Sequence, residues 1–534
     1  MPTDVDQADP AAAEPTPGPD AADPDALDPD APDPDAPGPD APDPDAADQD
    51  TAWEARWPVD LPAGATTGLR GALRSTPPGL GRGWRRALVG LLAVQLVAIA
   101  VLGVVVAFHF PVFSPADEEA HFSYVQQIAQ HGSLPVLGRS PTSPQGLEIF
   151  EGTYPRPPTR TYSLKELSGL DYEALQPPLY YVAAVPAFDL TPNYVHKVYS
   201  IRMFDVLLML ASLALVGRLA RVVLGARWMV GWAFALVFFA VPGVVLRMVT
   251  VSNLPLAVPL AILFATELWI GWERHSGRRL TLAGLYLGLA VLTQLEQLFL
   301  IPVFALVLVA EGAHRWRAKP VRAPGVARTT SAPLRKVLAP LAVAAVLPVL
   351  LVAPWFLFNE SNYHMLTAGP IAIAEQTPAV NPHHLHFSLR NLPDDTVSEL
   401  GDPTLPEEWG GALGALPFLN ELELLLSALI IPASLVITAG LGRRLRSVPV
   451  AILGLPFVVN VLELWYIHIG EQWFVTVRYL YTSLPILMVL AAGAALCVVR
   501  PRFLPVLVSA LATAGALGLW AYFLWAYHGY WAFT

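Results

Sequence analysis

The chain has 534 residues, 54% hydrophobic and only 14% charged, with a mean hydropathy of +0.47 and a formal net charge of −11. Soluble domains carry about 25% charged residues, so a soluble globular class is excluded and an all-α polytopic membrane protein is expected. The charge is concentrated at one end: residues 1–60 hold eighteen Asp and Glu against Arg56 alone, and the rest of the chain is net positive. The acidic balance therefore says nothing about partners of the apolar body, and no basic stripe points to nucleic acid. Cys497 is the single cysteine, so an intramolecular disulfide is excluded.

Residues 1–50 repeat Asp-Pro-Asp-Ala-Pro-like units and almost lack large apolar side chains. Such a segment cannot bury enough surface to offset its ordering entropy, and residues 1–80 are expected to form a disordered acidic tail. The first apolar run begins near residue 87, too late for a cleavable signal peptide. It is preceded by a basic stretch that includes Arg70, Arg74, Arg82, Arg85 and Arg86.

From there the pattern predicts about 11 transmembrane helices, near 87–108, 199–217, 228–247, 253–271, 280–294, 296–312, 337–357, 416–440, 447–468, 478–498 and 503–525. With the N-terminus inside, the cytoplasmic segments hold 24 of the 33 Lys and Arg, which satisfies the positive-inside rule. The expectation is a multi-pass plasma-membrane protein with a cytoplasmic N-terminus, a C-terminus outside, and a membrane domain over 86–530. Two long outward loops follow, 109–197 and 359–415. The short cytoplasmic connections contain no Gly-rich Lys-Ser/Thr phosphate loop, so ATP-driven transport by a domain of this chain is excluded and the chemistry is expected to face outward.

The densest polar cluster, Asp117-Glu-Glu-Ala-His121, comes just after the first span. Ser114 and Asp117 form a capping-box start and Pro115 suits the first helical position. On a helix, Asp117 and His121 share one stripe, with Glu118 beside it. A carboxylate here can take a proton from an acceptor hydroxyl, and paired carboxylates suit a hard divalent cation. Further on, the Pro pair of Gln176-Pro-Pro-Leu-Tyr-Tyr181 marks a helix start, with Tyr180 and Tyr181 expected at the membrane interface. The second loop carries His364, His383, His384 and His386 with Glu375, Asp394 and Asp395, and is read as a solvated, acceptor-facing loop. Gln294, Glu296 and Gln297 fit a wall of a site or a bare turn equally well, and Asp205 is read as a buried partner of arginines such as Arg202.

Pro115-Ala-Asp-Glu-Glu-Ala-His-Phe after the first span, Gln176-Pro-Pro-Leu-Tyr-Tyr before the second, Pro354-Trp-Phe-Leu-Phe-Asn359 at the end of the seventh and Val477-Arg-Tyr-Leu-Tyr at the start of the tenth occur in a characteristic order. Together they resemble the GT-C integral-membrane glycosyltransferases, the superfamily of protein O-mannosyltransferases and aminoarabinose transferases, over roughly residues 87–500. The resemblance implies a sugar donor carried on polyprenyl phosphate, a glycan, lipid or protein acceptor, and a loop carboxylate acting as base or metal ligand. Carried onto this chain it implies Asp117 as that carboxylate, with Glu118 and His121 in support and Asp117 with Glu118 as candidate ligands for Mg or Mn. Arg478 with Tyr479, inside one of these motifs, is the expected donor-phosphate site, with Gln176, Tyr180 and Tyr181 at the substrate side; because a lipid phosphate needs cationic donors, the outward-end cations Arg247, Arg202 and Lys197 are further candidates. The chain departs from that pattern at Leu254, where many relatives are acidic, and at Thr293-Gln294, where they often have Thr-Lys. Two other classes compete: a non-catalytic carrier or flippase for lipid-linked saccharide, and an envelope-assembly scaffold.

Overall fold

A computed structural model describes residues 82–110, 112–113, 118–137, 140, 172–240, 242–317, 334–367, 448–471, 477–498, 510 and 513. The tail, Asp117, the Pro-rich stretch 141–160, the expected spans 416–440 and nearly all of 503–525, and the clustered histidines of the second loop lie outside the described residues.

The described residues are helical, with no strand among them. In order they are α1 (Arg82–His109), α2 (Glu118–His131), α3 (Leu179–Phe188), α4 (Tyr194–Leu224), α5 (Trp228–Phe239), α6 (Pro242–Val249), α7 (Leu254–Glu273), α8 (Gly277–Val291), α9 (Leu300–Arg317), α10 (Leu334–Tyr363), α11 (Val448–Glu471) and α12 (Leu484–Val498). Short 3-10 turns cover Tyr172–Leu175, Leu295–Phe299 and Val477–Thr482. Among the described residues, five segments are long and apolar enough to cross a membrane: Val89–His109, Tyr194–Leu224, Leu254–Glu273, Leu295–Arg317 and Leu338–Tyr363.

The expected single span 228–247 is instead two helices, α5 and α6. Pro242 has no N–H for the carbonyl one turn back, so the helix stops at Ala240 and restarts. The expected span 280–294 is the fifteen-residue α8, about 22 Å long at 1.5 Å per residue and short of a ~30 Å hydrocarbon core. Helix α4 starts on Asn193, whose side chain accepts the His196 N–H at 3.0 Å, and stops at Gly225, whose φ of +56° suits glycine.

Helix α7 is the axis of the bundle. It packs against α4, α6, α8, α9, α11 and α12, and most of its side chains are buried. Around it, α1, α9 and α10 turn rows of Val and Leu outward, including Val94, Val97, Val309, Val349 and Leu350, as lipid-facing helices must. Helices α8 and α10 run in the same direction in close contact: Gly277 faces Pro340, Gly284 faces Ala344 and Gly288 faces Pro348 and Leu351. A Cβ on Gly284 would collide with the Ala344 carbonyl oxygen. Gly284→Ala is therefore expected to cost about 1–3 kcal/mol by overpacking, read as a lower melting temperature of the detergent-solubilised protein. Gly90→Ala, with nothing within 4 Å, is the control and should not destabilise.

The two ends of the bundle differ in chemistry. At one end Glu267 on α7 bridges Arg218 on α4 and Arg279 on α8, and Glu311 on α9 bridges His275 and Arg315. At the other, aromatic rings and neutral amides gather around α2, α3 and the turns 250–253 and 292–297.

Candidate functional site

Helix α2 is fastened to the bundle through its first residue. Glu118 Oε1 accepts from Arg202 Nε at 2.8 Å and from the Val251 N–H at 3.1 Å. Glu118 Oε2 accepts from Arg202 Nη2 at 2.6 Å and from the Phe113 N–H at 2.8 Å. Arg202 Nη1 in turn donates to the Phe110 and Ala107 carbonyls at 2.7 and 3.3 Å, which are carbonyls that the end of α1 leaves without helical partners. Both side chains of the pair are fully buried. One guanidinium thus joins the end of α1 to the start of α2, and the carboxylate ties both to the turn between α6 and α7.

This arrangement corrects two sequence expectations. An ionised carboxylate offers about four lone-pair sites, and those of Glu118 are all taken. It has no capacity left for a substrate proton or a cation, so it is a positioning group and not a second catalytic carboxylate or metal ligand. Arg202 is sealed inside the protein with its donors engaged, so it is not a donor-phosphate clamp.

A second tie lies beside the first. The Tyr180 hydroxyl donates to Asp205 on α4 at 2.9 and 3.1 Å. Asp205 therefore has Tyr180 as its hydrogen-bond partner, while Arg202, the partner expected from sequence, acts on it through its charge. Burial first, and then the adjacent Asp205 carboxylate, push the Tyr180 phenol well above its usual range, so it stays a protonated donor. Tyr180→Phe leaves a buried carboxylate without that donor and is expected to cost about 1–3 kcal/mol, checked by denaturant or thermal unfolding.

Tyr181, the next residue, faces α2. Its hydroxyl is 2.8 Å from His121 Nδ1, and Glu173 Oε2 is 3.6 Å from the same nitrogen. The Tyr181 ring stacks on Tyr124 at 3.8 Å between centroids. Tyr124 donates to the Gln176 carbonyl at 3.2 Å, and the Gln176 side chain accepts from Asn253 Nδ2 at 3.2 Å. Tyr180 and Tyr181, expected on a short interfacial helix, are fully buried, because α3 is clasped between α2 and α4. Glu173 is not legible as a site residue, its one signal being proximity to Gln-Pro-Pro, whereas helical spacing puts Tyr124 on the stripe of Asp117 and His121.

The remaining cations are arranged as follows. Lys197 Nζ donates to the Phe188 carbonyl at 2.9 Å and sits 3.7 Å from the Phe188 ring centroid. Arg247 is half-buried at the end of α6. Arg478 and Tyr479 lie on the turn Val477–Thr482, which packs against α6 and α7; their side chains fall outside the description. The turn joining α6 to α7 is the one that donates Val251 N–H to Glu118. Among the described residues no group of three or more His, Cys, Asp or Glu could hold a metal ion. With Glu118 saturated, the described residues do not fit the expected divalent cation.

No protein-family model matches the chain, and no curated protein matches it. Solved structures do resemble it. ArnT from Cupriavidus metallidurans bound to undecaprenyl phosphate aligns with a TM-score of 0.42 at 14% identity, covering 76% of this chain and 60% of that one. The oligosaccharyltransferase AglB from Archaeoglobus fulgidus, in complex with an inhibitory peptide and a dolichol-phosphate, aligns with a TM-score of 0.41 at 13% identity, covering 82% and 55%. The chain spans about 60% of the length of the ArnT structure and about 55% of AglB. Scores of this size leave the assignment of chemistry to the chain's own residues.

Proposed function

We propose that this chain is a membrane glycosyltransferase that moves a sugar from a polyprenyl-phosphate donor to an outward-facing glycan, lipid or protein acceptor. One observation supports this reading above the others. The acidic helix following α1 is held by a buried, saturated ion pair at the end of the bundle where His121, Tyr181 and Glu173 meet and which the turn of Arg478 adjoins. A merely solvated surface helix has no need of such a fastening.

In this reading Asp117 precedes the fastened Glu118 and carries the chemistry. The acceptor oxygen attacks the anomeric carbon while Asp117 takes its proton. The bond from that carbon to the phosphate oxygen breaks, and the polyprenyl phosphate leaves with the electron pair. Arg478, with Arg247 nearby, meets the leaving phosphate; a guanidinium suits phosphate because it can donate two parallel hydrogen bonds. His121 and Tyr181 line the approach, and Glu118 with Arg202 keep α2 in place. The end carrying Glu267, Glu311 and their arginines is cytoplasmic, in keeping with the positive-inside rule.

The test uses the full chain in lipid nanodiscs with a panel of polyprenyl-phosphate monosaccharides and an envelope extract as acceptor. The expected result is release of polyprenyl phosphate from at least one donor. Movement of intact donor across a vesicle membrane without cleavage would instead support a carrier and overturn the transferase reading.

A further inference from the structure

Side chains from three elements meet at one ring nitrogen of α2. Tyr181 of α3 places its hydroxyl 2.8 Å from His121 Nδ1, and Glu173, on the turn Tyr172–Leu175, places Oε2 3.6 Å from the same atom. The first contact is a hydrogen bond; the second is too long for one but lies within ion-pair range. Helix α2 packs on both α3 and that turn, so the way it is seated brings the three together. The His121 and Glu173 side chains are 7% and 9% exposed. Little water screens a charge there, yet an edge stays open, as a group that exchanges protons with its surroundings requires.

These neighbours decide which nitrogen of His121 carries the proton. A phenol hydroxyl can donate to a bare Nδ1 or accept from an Nδ1–H, so Tyr181 fits either form. An ionised carboxylate only accepts, and a lone pair on Nδ1 would face its negative charge. Glu173 therefore favours a proton on Nδ1, which leaves the lone pair on Nε2. It favours the ring a second time once Nε2 is protonated and the whole imidazole is positive. The other titratable groups around α2 are committed elsewhere: Tyr180 donates to Asp205, Tyr124 donates to the Gln176 carbonyl, and Glu118 is paired with Arg202. Stacking on Tyr124 at 3.8 Å holds the Tyr181 ring, and with it the hydroxyl, in place.

We propose that Glu173 is a positioning residue that keeps the proton on His121 Nδ1 and so makes Nε2 the base that receives the proton released by sugar transfer. The inference rests on the glycosyltransferase reading and adds the route by which its base is reset. The acceptor O–H bond breaks as that oxygen bonds the anomeric carbon, and Asp117 takes the proton. His121, four residues and one helical turn on in sequence, takes it from Asp117 at Nε2; an imidazole ordinarily binds a proton more tightly than a carboxylate. The imidazolium is balanced by Glu173 and passes the proton to water. Asp117 is then ionised and His121 neutral, ready for the next cycle. Glu173 touches neither donor nor acceptor and acts through the ring.

The test uses the full chain in nanodiscs with isotope-labelled histidine, the His121 resonance being identified by its loss in His121→Gln. Its titration midpoint is read by NMR with no donor present. Glu173→Gln keeps the shape, removes the charge and should lower the midpoint by about one unit, a tenfold loss of proton affinity. Tyr181→Phe should move it less. Glu173→Asp withdraws the charge by one methylene and should shift it in the same direction by a smaller amount, so it carries the comparison where the Gln chain does not fold. Release of polyprenyl phosphate from undecaprenyl-phosphate monosaccharides is then followed against pH. Since His121 must be neutral to take the proton, wild-type release falls as pH drops through the midpoint. In Glu173→Gln that acid limb should move to lower pH by the same amount as the midpoint. A midpoint unmoved by Glu173→Gln overturns the proposal and leaves the transferase reading standing. A midpoint that moves while the acid limb stays put also overturns it, because the ring then takes no part in the reaction. A lower melting temperature with an unmoved pH profile makes Glu173 structural and overturns it too. Failure of the wild-type chain to release polyprenyl phosphate from any donor removes the transferase reading, and the positioning role with it.

Discussion

Arg202→Leu is expected to destabilise the protein by about 3–5 kcal/mol, the range for removing one partner of a buried ion pair. The loss has three parts. Glu118 is left buried without its guanidinium, and the Ala107 and Phe110 carbonyls at the end of α1 lose their donor. Of the four donors to Glu118, the Phe113 and Val251 N–H groups then remain. Arg202→Lys should fall between wild type and Leu, because an ammonium cannot supply the two parallel donors that reach Oε1 and Oε2. The double variant Glu118→Leu/Arg202→Leu removes both charges and should recover part of the loss. Recovery stays incomplete, since the Phe113 and Val251 N–H groups then lack their acceptor. Unfolding of the solubilised protein measures all three. An Arg202→Leu chain as stable as wild type would show that the pair does not fasten α2.

Asp117→Asn is expected to lower the rate of polyprenyl-phosphate release by about 10²–10⁴-fold, the usual contribution of a positioned general base, while the melting temperature stays at the wild-type value. Asparagine has nearly the shape of aspartate and no basicity, and the helix start is held by Glu118 next door. The informative comparison is with Glu118→Gln, which should lose stability and activity together. Two neighbouring acidic residues would thus fail in different ways, one in chemistry alone and one through the position of the helix. Release at the wild-type rate by the Asp117→Asn chain would remove Asp117 from the mechanism.

The same pair shows what could be read from sequence and what could not. Asp117, Glu118 and Glu119 are three consecutive carboxylates; helical spacing sets Asp117 on the stripe of His121, but nothing local says which of them is spent on an ion pair. The residue that decides the role of Glu118 lies 84 positions away, on α4. Arg202 resembled other cations near the end of a span, where a guanidinium is expected to reach the headgroups. It is sealed because α1, α2 and the turn 250–253 close over it. Tyr180 and Tyr181 were likewise placed at the interface by residue type, whereas packing between α2 and α4 buries both rings.

The apolar runs, their order and the end of the bundle at which Lys and Arg collect are properties the sequence determines by itself. Each follows from composition over a single helix length or from where Lys and Arg fall along the chain. Which carboxylate is spent on an ion pair, which tyrosine holds Asp205 and which meets His121, and that Glu173 stands beside the same ring were decided only by tertiary structure. These depend on hydrogen-bond partners tens to hundreds of residues apart, and a buried polar group takes its role from the partner that reaches it.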